Sequence, residues 1–223
     1  MHNQPGEQVP QSLKKEIKKN VSLDYLLYLP EEYESKPEWP LVIFLHGAGE
    51  RGDDLARVKI HGPAKLVDKG KSFPFILISP QCPANRRWTD ELDALGALLD
   101  DISQKYRIDP NRISVTGLSM GGQGVWALAL AYPQRFSALA PVCGRSYFYQ
   151  ASRIKHIPAW IFHGAKDNVV PIAESDVMAA ALKKHGGDVK YTVYPEANHD
   201  SWTATYNNPE LYEWLLGRQR RND

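Results

Sequence analysis

"ISVTGLSMGGQG", residues 113–124, is the stretch on which the fold turns. Ile113 and Val115 belong to a β-branched run that reads as a buried strand, and from Gly121 onward the pattern reads as a helix. At the junction stands a polar Ser119, with Gly117 and Gly121 two residues to either side. A strand that turns sharply into a helix brings the two backbones together, so bulk is excluded two positions before and two after the corner. The corner residue is strained, and its side chain projects above the sheet at a helix N-terminus, whose amides favour a developing negative charge. A glycine-rich turn with an incidental serine is the plainer alternative, but it leaves the symmetric spacing without a reason.

Working outward, "LVIFLHG" (41–47) and "FILIS" (75–79) are short continuous apolar runs, the pattern of parallel strands covered on both faces. Residues 14–30 read as two adjacent strands turning near Asn20, and further strands are expected at 113–118, 137–142, 159–163 and 189–194. Helices are expected at 53–70 (broken at Gly62-Pro63), 91–106, 121–132, about 174–185, and from Pro209 onward. Asp109-Pro110-Asn111 reads as a turn. The alternation predicts an α/β domain over 1–223, with a mostly parallel eight-stranded sheet, helices on both faces and a flexible lead-in over 1–12. Such sheets carry their chemistry on the loops at the carboxyl ends of the strands.

Composition narrows the function less than the pattern does. The chain has 223 residues and a formal net charge of +1, so no global field favours nucleic acid or an anionic membrane. No apolar run approaches the ~18 residues of a membrane-spanning helix. "MHNQPGEQVP" lacks the apolar segment of a signal peptide, as expected of a cytoplasmic protein or of a secreted one whose leader has been removed. Cys82 and Cys143 read as free buried thiols rather than a disulfide. Neither is near a histidine at ligand spacing, so no metal or organic cofactor is expected.

A serine hydroxyl needs a base to take its proton. Of seven histidines, His2, His156 and His185 fall in a tail or connecting segments, and His61 lies in the broken helix. His46 and His163 each precede a glycine at a strand end, where a side chain usually anchors the loop. His199, in "EANHDSW" beyond the last strand, is free to face Ser119 and reads as general base and acid. The orienting carboxylate is expected at the strand end between them, and "WIFHGAKDNVVP" supplies Asp167 there. Asp176, Asp188 and Asp200 lie within a helix, at the wrong end of the sheet, and beside the histidine. An oxyanion hole is expected from the N–H of Met120 and, across the glycine-rich loop "HGAGERGDD", from that of Ala48.

Together these residues resemble the serine-hydrolase branch of the α/β-hydrolase superfamily, over about residues 22–216. "LVIFLHGAGERGDD", "IDPNRISVTGLSMGG" and "HGAKDNVVP" look like the small carboxylesterases grouped with predicted peptidases, polyhydroxybutyrate depolymerases and feruloyl esterases. The resemblance implies a triad of Ser119, Asp167 and His199, the set already reached by position. Dienelactone hydrolases share the scaffold but place cysteine at the elbow, so the serine counts against them.

The resemblance implies hydrolysis of short-chain acyl esters, or of small acyl or aryl esters on a larger carrier. A serine peptidase, a thioesterase, or a non-catalytic carbohydrate-binding module are the alternatives. The 143–157 connection is too short for a separate lid domain, so the site should be open. Trp88, Tyr147 and Gly47 are candidate substrate contacts, the two aromatics serving equally well as core lining. Glu50 and Arg51 read as braces of the loop.

Overall fold

In the computed structural model, residue 6 and residues 8–220 are described, and seven strands form one sheet. They are β1 (Tyr25–Tyr28), β2 (Trp39–Leu45), β3 (Ile76–Pro80), β4 (Ile108–Leu118), β5 (Ala138–Val142), β6 (Ala159–Gly164) and β7 (Val189–Tyr194). Their order is β1-β3-β2-β4-β5-β6-β7, with β1 antiparallel to β3 and every other pair parallel.

The expected eighth strand is absent among the described residues, because residues 8–24 form neither helix nor strand. Leu13 and Ile17 are exposed there, at 90% and 84%, and the four lysines around them offer no second apolar face to bury. A strand without a buried face or a partner does not offset its ordering entropy.

The period-2 alternation of the strands splits the core in two. Leu41, Ile43 and Leu45 of β2 face α2 (Leu92–Lys105), α3 (Met120–Ala131) and α4 (Ala173–Lys184). Val42 and Phe44 face α1 (Gly62–Asp68), α5 (Trp202–Asn207) and α6 (Pro209–Leu216). In α2 the buried Leu95, Leu98, Leu99 and Ile102 recur at helical spacing. α3 is buried nearly all round, from Met120 to Leu130, as its apolar sequence requires. Each such leucine or valine contributes about 1.5–3 kcal/mol by leaving water.

The turn expected at Asp109–Asn111 takes the form of a local excursion within β4. β2 advances from Trp39 to Leu41 while β4 advances from Ile108 to Ile113, and the Asn111 N–H donates to Asp109 Oδ1 at 2.9 Å. α5 had no counterpart in the sequence pattern, whose last expected helix begins at Pro209; its six residues are too few to show a period. Among the described residues no helix is long and apolar enough to cross a membrane.

Candidate active site

The glycine spacing of the opening stretch has a steric cause. A Cβ on Gly117 would lie 2.6 Å from the carbonyl oxygen of Gly121, and one on Gly121 would collide with the carbonyl of Leu45 on β2. Between them Ser119 has φ +52° and ψ −112°, a left-handed conformation that costs a non-glycine residue about 1–3 kcal/mol. The surrounding bonds hold it there: its N–H donates to Val142 O at 2.9 Å and its C=O accepts from Gln123 N–H at 3.0 Å.

The loops after β6 and β7 bring two more side chains to the serine. His199 Nε2 lies 2.9 Å from Ser119 Oγ, and Nδ1 lies 2.7 Å from Asp167 Oδ2. With a carboxylate at Nδ1, that nitrogen carries the proton, leaving Nε2 to accept from the hydroxyl. Asp167 Oδ1 accepts from the N–H groups of Val169 and Val170, both at 2.9 Å. Burial opposes the charge of this carboxylate, but the bonds from His199, Val170 and Val169 outweigh it and hold its pKa below the usual value. The two loops are also tied to each other. Lys166 N–H donates to Ala197 O at 2.9 Å, and the Lys166 ammonium pairs with Glu196.

The loop after β2 is built around His46, whose side chain is fully buried. Its Nδ1 donates to Gly47 O at 2.6 Å and its Nε2 accepts from the Cys82 N–H at 3.0 Å. Burial keeps this ring neutral, lowering its pKa to about 4. Arg51 Nε donates to Ala48 O at 2.9 Å, and Glu50 is buried between His46 and His61, 3.8 and 3.7 Å from their nitrogens. Both therefore brace the loop. The amide of Met120 opens α3, where first-turn N–H groups have no intrahelical acceptor, and Ala48 opens the short 3-10 turn Ala48–Glu50 after β2.

Of the expected substrate contacts, Trp88 is corrected. Its side chain is 0% exposed, its Nε1 donates to His46 O at 2.9 Å and its ring meets the His46 ring edge-on at 4.9 Å. It supports the loop from behind, because burying an indole is favourable once its N–H finds a carbonyl. Tyr147 is half-buried and accepts from Gln123 Nε2 at 3.3 Å, and Gly47 is buried at the start of the 3-10 turn. Trp202, which sequence reasoning passed over, meets His199 edge-on at 5.3 Å; its place three residues after the histidine was the available signal. His61, His156 and His185 take no part in the Ser119–His199–Asp167 chain, and His2 lies outside the described residues.

Cys82 and Cys143 are free and buried. Burial pushes both thiols up to about 12, so neither is a thiolate at neutral pH. Cys143 brings a sulfur within 4.8 Å of the ligand atoms of Asp167 and His199, the donor types of a metal site. Both nitrogens of that histidine are already engaged by hydrogen bonds.

A family model described as the dienelactone hydrolase family matches residues 83–211, more than half of the chain. A thermostable esterase of known structure superposes with a TM-score of 0.79 at 35% identity, over 91% of this chain and 60% of that one. Poly(3-hydroxyalkanoate) depolymerase C of Paucimonas lemoignei is 28% identical over 224 residues, covering 75% of this chain and 53% of the depolymerase. A probable feruloyl esterase C of Aspergillus terreus is 24% identical over 168 residues, covering 74% of this chain and 62% of that protein. The chain thus spans less than two thirds of each of these relatives. The family match overturns the expectation that an elbow serine sets this chain apart from the dienelactone hydrolases. The backbone corner is set by the crowding at Gly117 and Gly121.

Proposed function

The chain belongs to the dienelactone hydrolase family of α/β-hydrolases, and from that premise we propose that it is a serine carboxylesterase. The observation that carries the reading is the hydrogen-bonded chain Ser119–His199–Asp167, drawn from three different strand ends. Ser119 Oγ attacks the ester carbonyl while His199 Nε2 takes its proton. The bond from serine to acyl carbon forms, and the oxyanion is held by the N–H groups of Met120 and Ala48. His199 then protonates the departing alcohol, and Asp167 stabilises the imidazolium throughout. Water, deprotonated by the same imidazole, releases the acid and restores the serine.

An open site supports short acyl chains, or small acyl or aryl groups on a larger carrier. The connection between β5 and β6 holds only one 3-10 turn, Phe148–Arg153, and forms no separate lid. Relatives point the same way: a probable feruloyl esterase, a poly(3-hydroxyalkanoate) depolymerase, and a bifunctional acetylxylan esterase/xylanase from Neocallimastix patriciarum.

The test is a panel of p-nitrophenyl acetate, butyrate, octanoate and palmitate with methyl ferulate and acetylated xylan, run beside fluorophosphonate labelling. Two- to four-carbon esters should be turned over fastest, with Ser119 the labelled residue. Ser119→Ala should fold and lose about 10⁶-fold in kcat. Near-native turnover in that variant sinks the assignment.

A further inference from the structure

We infer that His163 is a positioning residue of this site, acting on His199 through Asp167; the inference rests on the triad reading above. His163 is the penultimate residue of β6 and its side chain is 0% exposed. Two oxygens face its Nε2: Val170 O at 2.9 Å, and Asp167 Oδ2 at 3.1 Å. The latter is the same oxygen that bonds His199. A bare nitrogen lone pair between two acceptor oxygens is repulsive, so Nε2 carries the proton. Nδ1 lies 2.7 Å from the Ser175 hydroxyl on α4, which donates to it and keeps that tautomer in place.

The consequence is a closed clasp around the carboxylate. The His163 N–H holds the Val170 carbonyl, and the N–H of the same residue holds Asp167 Oδ1. The positive edge of the imidazole also stands beside Oδ2. Asp167 is thereby fixed in the rotamer that faces His199, and it keeps its negative charge in a pocket where its side chain has no contact with solvent. Without the imidazole, Val170 loses its anchor and the carboxylate has one polar neighbour fewer. The loop can then turn Oδ2 away from the base.

The experiment compares His163→Leu, which removes the donor, with His163→Gln, whose side-chain amide reaches the place of Nε2. Steady-state esterase kinetics and fluorophosphonate labelling rates are read in wild-type and Asp167→Asn backgrounds. His163→Leu should lower kcat by about 10- to 100-fold, the scale seen for partners that orient catalytic or ligating histidines through a second contact, with KM within about twofold. The glutamine should recover most of that loss. In the Asp167→Asn background the leucine should add less than about twofold, since the residue through which it acts is already disabled.

An unchanged kcat in His163→Leu overturns the inference, and so does a loss of equal size in both backgrounds, which marks general damage. Should the leucine variant not fold, Ser175→Ala replaces it, with a smaller loss of the same sign expected and no loss counting against the clasp. If wild-type protein is not labelled at Ser119, the triad reading itself falls and takes this one with it.

Discussion

Two pentapeptides of the same pattern, HGAGE at 46–50 and HGAKD at 163–167, end β2 and β6. In both, a fully buried histidine closes the strand and an acid four residues on turns back toward it. The histidines settle into opposite tautomers. His46 donates from Nδ1 to Gly47 O, and His163 donates from Nε2 to Val170 O, because the carbonyls stand on opposite sides of the two rings. The acids diverge further. Asp167 is short, is gripped by two backbone amides, and meets the loop that carries His199. Glu50 reaches under its own loop to His61 and leaves Oε2 without a hydrogen-bond partner. A shared pattern therefore specifies an anchored strand end, and what the neighbouring loop delivers decides whether the acid does chemistry.

Exchanging each acid for its amide strains that comparison hardest. Asp167→Asn should cost about 10⁴-fold in kcat, since an amide cannot both orient the base and balance its charge. A loss under tenfold would place the working acid elsewhere.

Acid pH probes the other pentapeptide. His46 has a pKa of about 4 when folded and about 6.5 when unfolded, so between those values the unfolded chain takes up a proton that the folded chain refuses. Stability from this residue is complete above pH 6.5 and declines as pH falls toward 4, by up to about 3 kcal/mol. Urea titrations at pH 7 and pH 4.5 read the decline, and His46→Gln should flatten it; an equal slope in that variant assigns it to other groups.

The second position separates the pair on a smaller scale. A Cβ on Gly164 would collide with the backbone carbonyl of Asn198, next to His199, whereas the tight contacts of one on Gly47 are with side-chain ends, Leu118 Cδ1 at 2.7 Å and Glu50 Oε2 at 3.1 Å. Gly164→Ala should cost about 1–3 kcal/mol of thermal stability and displace the base, with Gly47→Ala under about 1 kcal/mol. Equal shifts in melting temperature would remove that distinction. Smallest of all, Glu50→Gln should keep esterase rates within about threefold of wild type; a loss approaching that of Asp167→Asn would promote Glu50 from brace to participant.

Ser119 was legible because the symmetric spacing of Gly117 and Gly121 is a local pattern, although part of the crowding that demands it comes from the Leu45 carbonyl on β2. Asp167 and His199 were legible as strand-end positions, since a parallel sheet delivers its loops to one edge. Trp88 was left between substrate contact and core lining, and the structure takes the second, because its burial depends on a carbonyl at residue 46 that no local pattern reveals. The contact of His163 with Asp167 was hidden for the same reason, because it follows from a bend after the strand and not from any periodic spacing. The spurious first strand had a rough alternation but no partner, and pairing is a property of two segments.

The sheet's edge has a thermal consequence. β7 is its last strand and only partly buried, while β4, which leads into Ser119, is the fourth strand from that edge, between β2 and β5. Local opening begins where burial is least. On the proposed reading, Ser119 therefore follows a central, buried strand while His199 follows a partly buried edge strand. Esterase activity should then be lost on heating before far-UV circular dichroism reports melting.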